Sequence, residues 1–245
     1  MDAVKKSRLT FDAFFNGRIR ISQDRSGYRF SIDAVLLAHH SAPRNNDRIL
    51  DLGTGCGIIP LILVFRHPGL RAYGVEIQES LAKNARDNVK KNDMEGRIQI
   101  FCMDMRLLNT GITGGAVDLV VTNPPYRKAR TGRVNLDNQR AIARHEIAVT
   151  LQEVVDTGQR MLRPKGRFVT VVPAERVTDI LFLMGTRGLE PKRLRMVHSR
   201  IDTEAKLAIV EGVKGARKGV KVESPLILYH SDSTYTEAVS KMFEA

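Results

Sequence analysis

The four residues Asn123-Pro124-Pro125-Tyr126 follow an apolar run and carry the most specific chemistry in the sequence. An amine conjugated to a heteroaromatic ring or a carbonyl is a poor nucleophile, because its lone pair is delocalised. The Asn123 side-chain oxygen and the Pro124 carbonyl can accept its hydrogens and point its lone pair at a methyl donor. Prolines make this backbone rigid, and Tyr126 can stack on the planar group. We predict a catalytic acceptor site here, against the alternative of a proline-rich turn.

A second group of residues predicts a ligand-binding loop. Asp51 precedes Gly53-Thr54-Gly55-Cys56-Gly57, whose glycines allow close approach of the backbone to a ligand. Glu76 ends the next apolar run, where a carboxylate can bind both hydroxyls of a ribose. Dinucleotide-binding loops have a wider glycine spacing, and Asp51 is a poor neighbour for a pyrophosphate. The pattern therefore favours S-adenosylmethionine, whose amino-acid end is cationic, as the cofactor.

Apolar runs and amphipathic stretches alternate along the chain and predict the fold. Strands are expected at 49–52, 71–75, 98–102, 118–122, 166–172 and 193–197, with helices between them. This alternation predicts an α/β fold with a doubly wound, mostly parallel, seven-stranded sheet and helices on both faces. Residues 206–211 and 225–229 are expected to pair with each other as a hairpin at an antiparallel C-terminal edge. Because ligands bind at the carboxyl ends of such strands, the glycine loop, Glu76 and Asn123 should lie together.

The absence of repeats and of a linker predicts one domain over residues 1–245, with 1–44 as an N-terminal extension. No apolar run is long enough to cross a bilayer, and the N-terminus lacks the apolar core of a signal peptide. The two cysteines, Cys56 and Cys102, have neither disulfide-framework nor metal-ligand spacing. We expect a cytoplasmic monomer that contains no metal.

The charge balance indicates a polyanionic partner. Lys and Arg number 39 against 27 Asp and Glu, a formal net charge of +12, and the pI is about 10.0. The segment after Tyr126 is basic and could hold a phosphate backbone beside the acceptor site, although a solvated loop would have the same composition. The candidate RNA-binding residues are Arg127, Lys128, Arg130, Arg133, Arg140 and Arg144.

Residues 51–57, Glu76 and Asp104 together resemble the class I S-adenosylmethionine-dependent methyltransferases, which have a Rossmann-like fold. The resemblance implies that the methionine moiety lies on the glycine loop and the ribose on Glu76. It places the adenine amine at Asp104 and the adenine ring against Met103 or Met105. Asp104 could equally be the N-cap of a helix that begins at Met105.

The segment from Tyr28 to Ala38 resembles one that closes over the cofactor in one branch of this superfamily. We expect Ser31 to cap a helix there, and the resemblance implies that the extension 1–44 covers the cofactor. The candidate cofactor-binding residues are Phe30, Asp33, Asp51, Gly53, Thr54, Gly55, Gly57, Glu76, Ile77, Asp104, Met105 and Asn123.

Over nearly its full length the chain resembles the bacterial tRNA(Val) adenine N6-methyltransferases. The matching segments are Phe30 to Ala38, Asp51 to Gly57, Asn123 to Tyr126 and Ala143 to Glu146. The resemblance implies methylation of an adenosine beside the anticodon, with tRNA as partner, but assigns no role to Arg144-His145-Glu146. The residues alone would also suit cytosine or a glutamine side chain. A glutamine N5-methyltransferase acting on release factors and a non-catalytic RNA-binding protein therefore stay open.

Overall fold

The computed structural model describes residues 9–24, 31–124 and 149–244. The strands are β1 (Leu9–Phe14), β2 (Ile19–Asp24), β3 (Arg48–Leu52), β4 (Arg71–Glu76), β5 (Ile98–Cys102), β6 (Val117–Thr122), β7 (Leu162–Pro173), β8 (Leu189–His198), β9 (Ala205–Lys214), β10 (Lys221–Val222) and β11 (Leu226–Ile227). The α-helices are α1 (Ile32–His40), α2 (Ile58–Arg66), α3 (Glu79–Lys91), α4 (Leu151–Met161), α5 (Val177–Thr186) and α6 (Glu237–Ser240). Short 3-10 helices occupy Met105–Leu107 and Ala174–Arg176.

Seven long strands form the predicted mostly parallel sheet, in the order β5-β4-β3-β6-β7-β9-β8. Strand β9 runs antiparallel to both β7 and β8, whereas β3 to β6 pair in parallel. The two-residue strands β10 and β11 add to β8, also in parallel. The doubly wound α/β prediction and its antiparallel edge are confirmed.

The pairing of the last strands differs from the predicted hairpin. Residues 206–211 lie in β9, which is inserted between β7 and β8 and does not pair with residues 225–229. Of that second run, only Leu226–Ile227 is a strand, and it pairs in parallel with β8. The apolar β9 obtains two neighbours and burial on both faces in this way, which a two-stranded edge hairpin would not provide.

Alternating side chains of the central strands enter two separate apolar layers. Ile49 of β3 and Val121 of β6 belong to the layer that includes α1, α2 and α3. Leu50 of β3 and Val120 of β6 face the opposite layer, which includes α4 and α5. Because successive side chains of a strand point to opposite faces, the continuous apolar runs in the sequence reflect a sheet covered on both sides.

The N-terminal extension contains a β1–β2 hairpin and α1. Phe15 of the hairpin turn stacks on Phe65 of α2, with ring centroids 4.9 Å apart, and Ile19 and Ile21 are fully buried. Ser31 occupies the N-cap position of α1 with extended backbone angles, as expected, but its side chain makes no capping hydrogen bond within the described residues. Its carbonyl accepts a hydrogen bond from the Ala34 amide instead.

Within the described ranges, every helix falls short of the length and apolarity that a membrane span requires.

Candidate active site

The site lies where the strand order reverses, at the carboxyl ends of β3 and β6. Leu52 of β3 pairs with Thr122 of β6 on one side and with Val75 of β4 on the other. The Thr122 hydroxyl donates a hydrogen bond to the Leu52 carbonyl at 2.9 Å, which ties the two strand ends together. Asn123 therefore begins directly beside Gly53, at the topological switch point where α/β sheets bind ligands.

The glycine loop is held to β4 by its backbone. The amides of Gly53 and Thr54 both donate to the Val75 carbonyl at 2.9 Å. Gly53, Gly55 and Gly57 all have positive φ, between 56° and 83°, which a residue with a Cβ adopts only with strain. A Cβ at Gly53 would enter open space, so the backbone there is accessible to a ligand.

Asp51 is the most unusual group in the site. It is 1% exposed, and neither of its carboxylate oxygens has a hydrogen-bond partner within the described part of the chain. Burial raises the pKa of Asp51 to about 7. The nearby Thr54 hydroxyl opposes this shift, and the Glu76 charge adds to it. A buried acid without partners is costly, and a ligand ammonium group would satisfy it. The cationic end of S-adenosylmethionine fits this requirement.

Glu76 is a buried carboxylate at the end of β4. One oxygen accepts a hydrogen bond from the Gly55 amide at 3.1 Å, and the other accepts from the Gln78 amide at 2.9 Å. Each carboxylate oxygen has a second lone pair, so both can still accept from vicinal hydroxyls. Glu76 thus fixes the loop and suits a ribose.

Asp104 confirms the capping interpretation. Its carboxylate accepts from the Arg106 amide at 2.9 Å, at the start of the 3-10 helix Met105–Leu107. The Arg106 guanidinium binds both carboxylate oxygens at 2.9–3.0 Å through Nε. These Arg106 interactions hold the pKa of Asp104 below its usual range. Contact between Asp104 and an adenine amine stays a prediction.

The remaining candidates surround this edge or lie outside the described residues. Ile77 is 37% exposed beside Glu76, and Met105 is buried. Asp33 lies half-buried in the first turn of α1. Asn123 is half-buried and Pro124 is buried, directly after β6. The predicted residues outside the described ranges are Phe30, Pro125, Tyr126, Arg127, Lys128, Arg130, Arg133, Arg140, Arg144, His145 and Glu146.

Two residues that matter to the site were not identified from the sequence. A Cβ on Gly74, in β4, would lie 2.9 Å from both the hydroxyl oxygen and the methyl carbon of Thr54, and 2.7 Å from Ile100 Cδ1. Asn88 of α3 is fully buried and donates to the Cys56 carbonyl at 3.0 Å. Gly74 could have been identified from the sequence, because a glycine inside a strand pattern often marks a close approach of another group. Asn88 could not, because an asparagine in a helix carries no such signal.

We expect Gly74→Ala to weaken binding of S-adenosylhomocysteine, the product form of the cofactor. Overpacking costs about 1–3 kcal/mol, and displacing Thr54 from the loop should appear as about a tenfold rise in Kd by calorimetry. Gly185→Ala is the matched control, because a Cβ there meets nothing within 4 Å. Equal affinities for the two variants would contradict the role given to Gly74.

A polar depression of about 850 Å³ lies elsewhere, lined by Arg48, Arg71, Tyr73 and the 111–114 loop among others. Arg48 and Arg71 are the first residues of β3 and β4, so the depression is at the amino ends of these strands. It is therefore at the opposite edge of the sheet from the glycine loop and is not part of the site.

Comparisons with known proteins agree with this geometry. Residues 28–181 match the model of the family described as methyltransferase small domain. A tRNA1(Val) (adenine(37)-N6)-methyltransferase of Porphyromonas gingivalis is 32% identical over 206 residues, which cover 82% of this chain and 80% of the relative. One of Aeromonas hydrophila is 27% identical over 234 residues, which cover 95% and 94%.

Solved structures show the same fold. A predicted O-methyltransferase of Agrobacterium tumefaciens superposes with a TM-score of 0.69 at 21% identity, covering 86% of this chain and 94% of that one. An S-adenosylmethionine-dependent O-methyltransferase of Thermotoga maritima superposes with a TM-score of 0.54 at 20% identity, covering 80% of this chain and 69% of that one. The family match, the relatives and the fold identify a class I methyltransferase that uses S-adenosylmethionine. The chain belongs to the methyltransferase small domain family, in the branch of the tRNA1(Val) (adenine(37)-N6)-methyltransferases.

Proposed function

We propose that this enzyme transfers a methyl group from S-adenosylmethionine to the N6 amine of an adenosine in tRNA, next to the anticodon of tRNA(Val). The observation that carries the proposal is the pairing of Leu52 with Thr122. It sets Asn123, the first residue of the acceptor motif, beside the glycine loop at the switch point. The names of the relatives from P. gingivalis and A. hydrophila supply the identity of the base and the RNA.

The proposed cofactor contacts follow the edge of the sheet from β3 to β5. Asp51 would bind the ammonium group, since its buried carboxylate lacks a described partner, and the Gly53–Gly57 backbone would lie along the methionine chain. Glu76 would accept from the ribose hydroxyls. The adenine ring would lie between Ile77 and Met105, with Asp104 facing its amine. Phe30 and Asp33, in the extension 1–44 of a single domain 1–245, would close over the site.

The acceptor residues would act by alignment. The Asn123 side-chain oxygen and the Pro124 carbonyl would accept the two N6 hydrogens and so localise the nitrogen lone pair, while Pro125 stiffens the turn and Tyr126 stacks on the adenine ring. When bound, S-adenosylmethionine supplies an electrophilic methyl group on a sulfonium. Aligned by Asn123 and Pro124, the N6 lone pair would form the nitrogen–methyl bond as the sulfur–methyl bond breaks and its electron pair stays on sulfur. The nitrogen would then lose a proton to water. Such a step needs closeness and orientation more than a strong base, and these can contribute roughly 7–11 kcal/mol.

The RNA would be held mainly through its phosphates. The net charge of +12 favours capture of a polyanion, and Arg127, Lys128, Arg130, Arg133, Arg140 and Arg144 follow the acceptor motif. The anticodon loop already exposes its bases, so the adenosine need not leave a duplex. We propose a monomer that works in the cytoplasm, and methyl transfer of this kind requires no metal.

The test is methylation of deproteinised tRNA by the purified enzyme with labelled cofactor. We expect N6-methyladenosine after nuclease digestion and mass spectrometry, in an anticodon-loop fragment of tRNA(Val). Label in cytosine alone, or in no RNA, would reject the proposal. Label in a release factor and not in RNA would establish the glutamine alternative, and tight RNA binding without any transfer would establish the non-catalytic one.

A further inference from the structure

Asn88 lies on α3 with a fully buried side chain that makes three hydrogen bonds. Its oxygen accepts from the Ser22 amide at 2.9 Å, and its amide nitrogen donates to the Ser22 carbonyl at 3.1 Å. The same nitrogen donates to the Cys56 carbonyl of the glycine loop at 3.0 Å. Both hydrogens of this NH₂ group are therefore used, one on the hairpin strand β2 and one on the glycine loop.

Asn92, the C-cap residue directly after α3, makes the same contact with β2 but not with the loop. Its oxygen accepts from the Arg20 amide at 2.9 Å, and its nitrogen donates to the Arg20 carbonyl at 2.8 Å. Arg20 and Ser22 are alternate residues of one strand, so their amides and carbonyls point to the same edge. The two asparagines thus pair with the edge of β2 that faces away from β1, as a neighbouring strand would.

The part of α3 around Asn88 is also in direct contact with the glycine loop. A Cβ on Gly57 would lie 3.3 Å from the Ala85 Cβ, so the helix approaches the loop as closely as a glycine permits. The Asn88 bond to Cys56 lies within this contact. Movement of α3 or reorientation of the Asn88 amide would therefore change the position of the loop backbone.

We propose that Asn88 is a positioning residue that couples the docking of the β1–β2 hairpin to the cofactor-binding shape of the glycine loop. The inference rests on the proposed cofactor site at Gly53–Gly57. Undocking the hairpin removes two of the three hydrogen bonds that orient the Asn88 amide, so that only the bond to the Cys56 carbonyl would remain to hold it. Cofactor that stabilises the loop must then stabilise the docked hairpin by the same factor, because coupling between two sites is reciprocal.

Hydrogen exchange of the unmodified enzyme tests the coupling directly. The Arg20 and Ser22 amides, which donate to Asn92 and Asn88, should exchange more slowly when S-adenosylhomocysteine is bound. We expect about a fivefold slowing or more, the lower end of typical coupling between sites. Unchanged exchange of these amides with the ligand bound would overturn the coupling. Failure of the unmodified enzyme to bind the ligand would instead overturn the cofactor site itself, and the coupling with it.

Asn88→Ala and Asn92→Ala form a matched pair of variants. Each removes two side-chain hydrogen bonds to the β2 backbone, but only Asn88→Ala removes the bond to the Cys56 carbonyl. We expect Asn88→Ala to raise the Kd for S-adenosylhomocysteine about tenfold and to make hairpin exchange insensitive to the ligand. Asn92→Ala should speed hairpin exchange but keep its slowing by ligand. The same ligand response in both variants would overturn the assignment to Asn88. If a thermal melt shows that Asn88→Ala does not fold, the coupling is tested by hairpin exchange with and without ligand in the unmodified enzyme and in Asn92→Ala. Exchange that the ligand leaves unchanged in both proteins would overturn the proposal.

Discussion

Replacing Asn123 by Ala should lower kcat for methyl transfer by about 10²–10³-fold, the cost of removing one preorganised polar group from a transition state. The side chain begins at the carboxyl end of β6, beside the glycine loop, and its proposed role is to accept a hydrogen of the reacting amine. That interaction strengthens as the nitrogen becomes pyramidal, so its loss should affect kcat more than tRNA binding. The Kd for S-adenosylhomocysteine should change less than about threefold, since in the proposed site the loop, Asp51 and Glu76 would hold most of the cofactor.

The measurement is single-turnover methylation of tRNA, with cofactor affinity determined by calorimetry on the same protein. Asn109→Ala is a suitable control, because Asn109 accepts a hydrogen bond from the Gly111 amide in the loop at the amino ends of the strands. It should leave kcat unchanged. A kcat for Asn123→Ala within about tenfold of the unmodified enzyme would show that Asn123 does not act on the reacting amine.

The central sheet could be predicted because its strands are short apolar runs followed by glycine or polar residues. Strand β3 runs into the glycine loop, and β4 and β6 end at Glu76 and Thr122, close to the boundaries expected from the sequence. The placement of β9 could not be predicted in the same way. An apolar run shows that a strand is buried, but its neighbours are chosen by distant contacts such as those with β7 and β8.

The residues of the candidate site could likewise be predicted only in part. The loop glycines, Asp51 and Glu76 have residue types and spacing that indicate a cofactor, and the structure brings them together with Asn123 at one edge of the sheet. Asn88 acts through a contact with Ser22, 66 positions away along the chain, which no local pattern encodes. The binding of Arg106 to Asp104 likewise depends on side-chain conformation and not on spacing.

Asp51→Asn should stabilise the ligand-free enzyme at pH 8. It should also weaken cofactor binding by at least about tenfold, since it removes one charge of the buried ion pair proposed between Asp51 and the cofactor ammonium group. Burial raises the pKa of Asp51 from 3.8 to about 7, so an ionised Asp51 opposes folding above pH 7. A shift of this size corresponds to a cost on the order of 4 kcal/mol. Asparagine has nearly the same shape and no charge, and thermal melts of the ligand-free proteins should show its higher Tm.

The pH dependence of the Tm difference between the two proteins shows whether the Asp51 charge is its cause. The folded-state pKa lies above the unfolded value, so the penalty is complete above about pH 7 and disappears as the pH falls towards 3.8. The Tm advantage of Asp51→Asn should therefore shrink between pH 8 and pH 5. If Asp51 binds the ammonium group as proposed, it does so as the ionised carboxylate. The cofactor affinity of the unmodified enzyme should then fall as the pH drops below 7, whereas that of the variant should be low and nearly constant. Equal cofactor affinity in both proteins would remove Asp51 from the cofactor site. A Tm difference that grows on acidification would contradict the raised pKa, because a buried acid whose pKa is raised destabilises the folded state less as the pH falls.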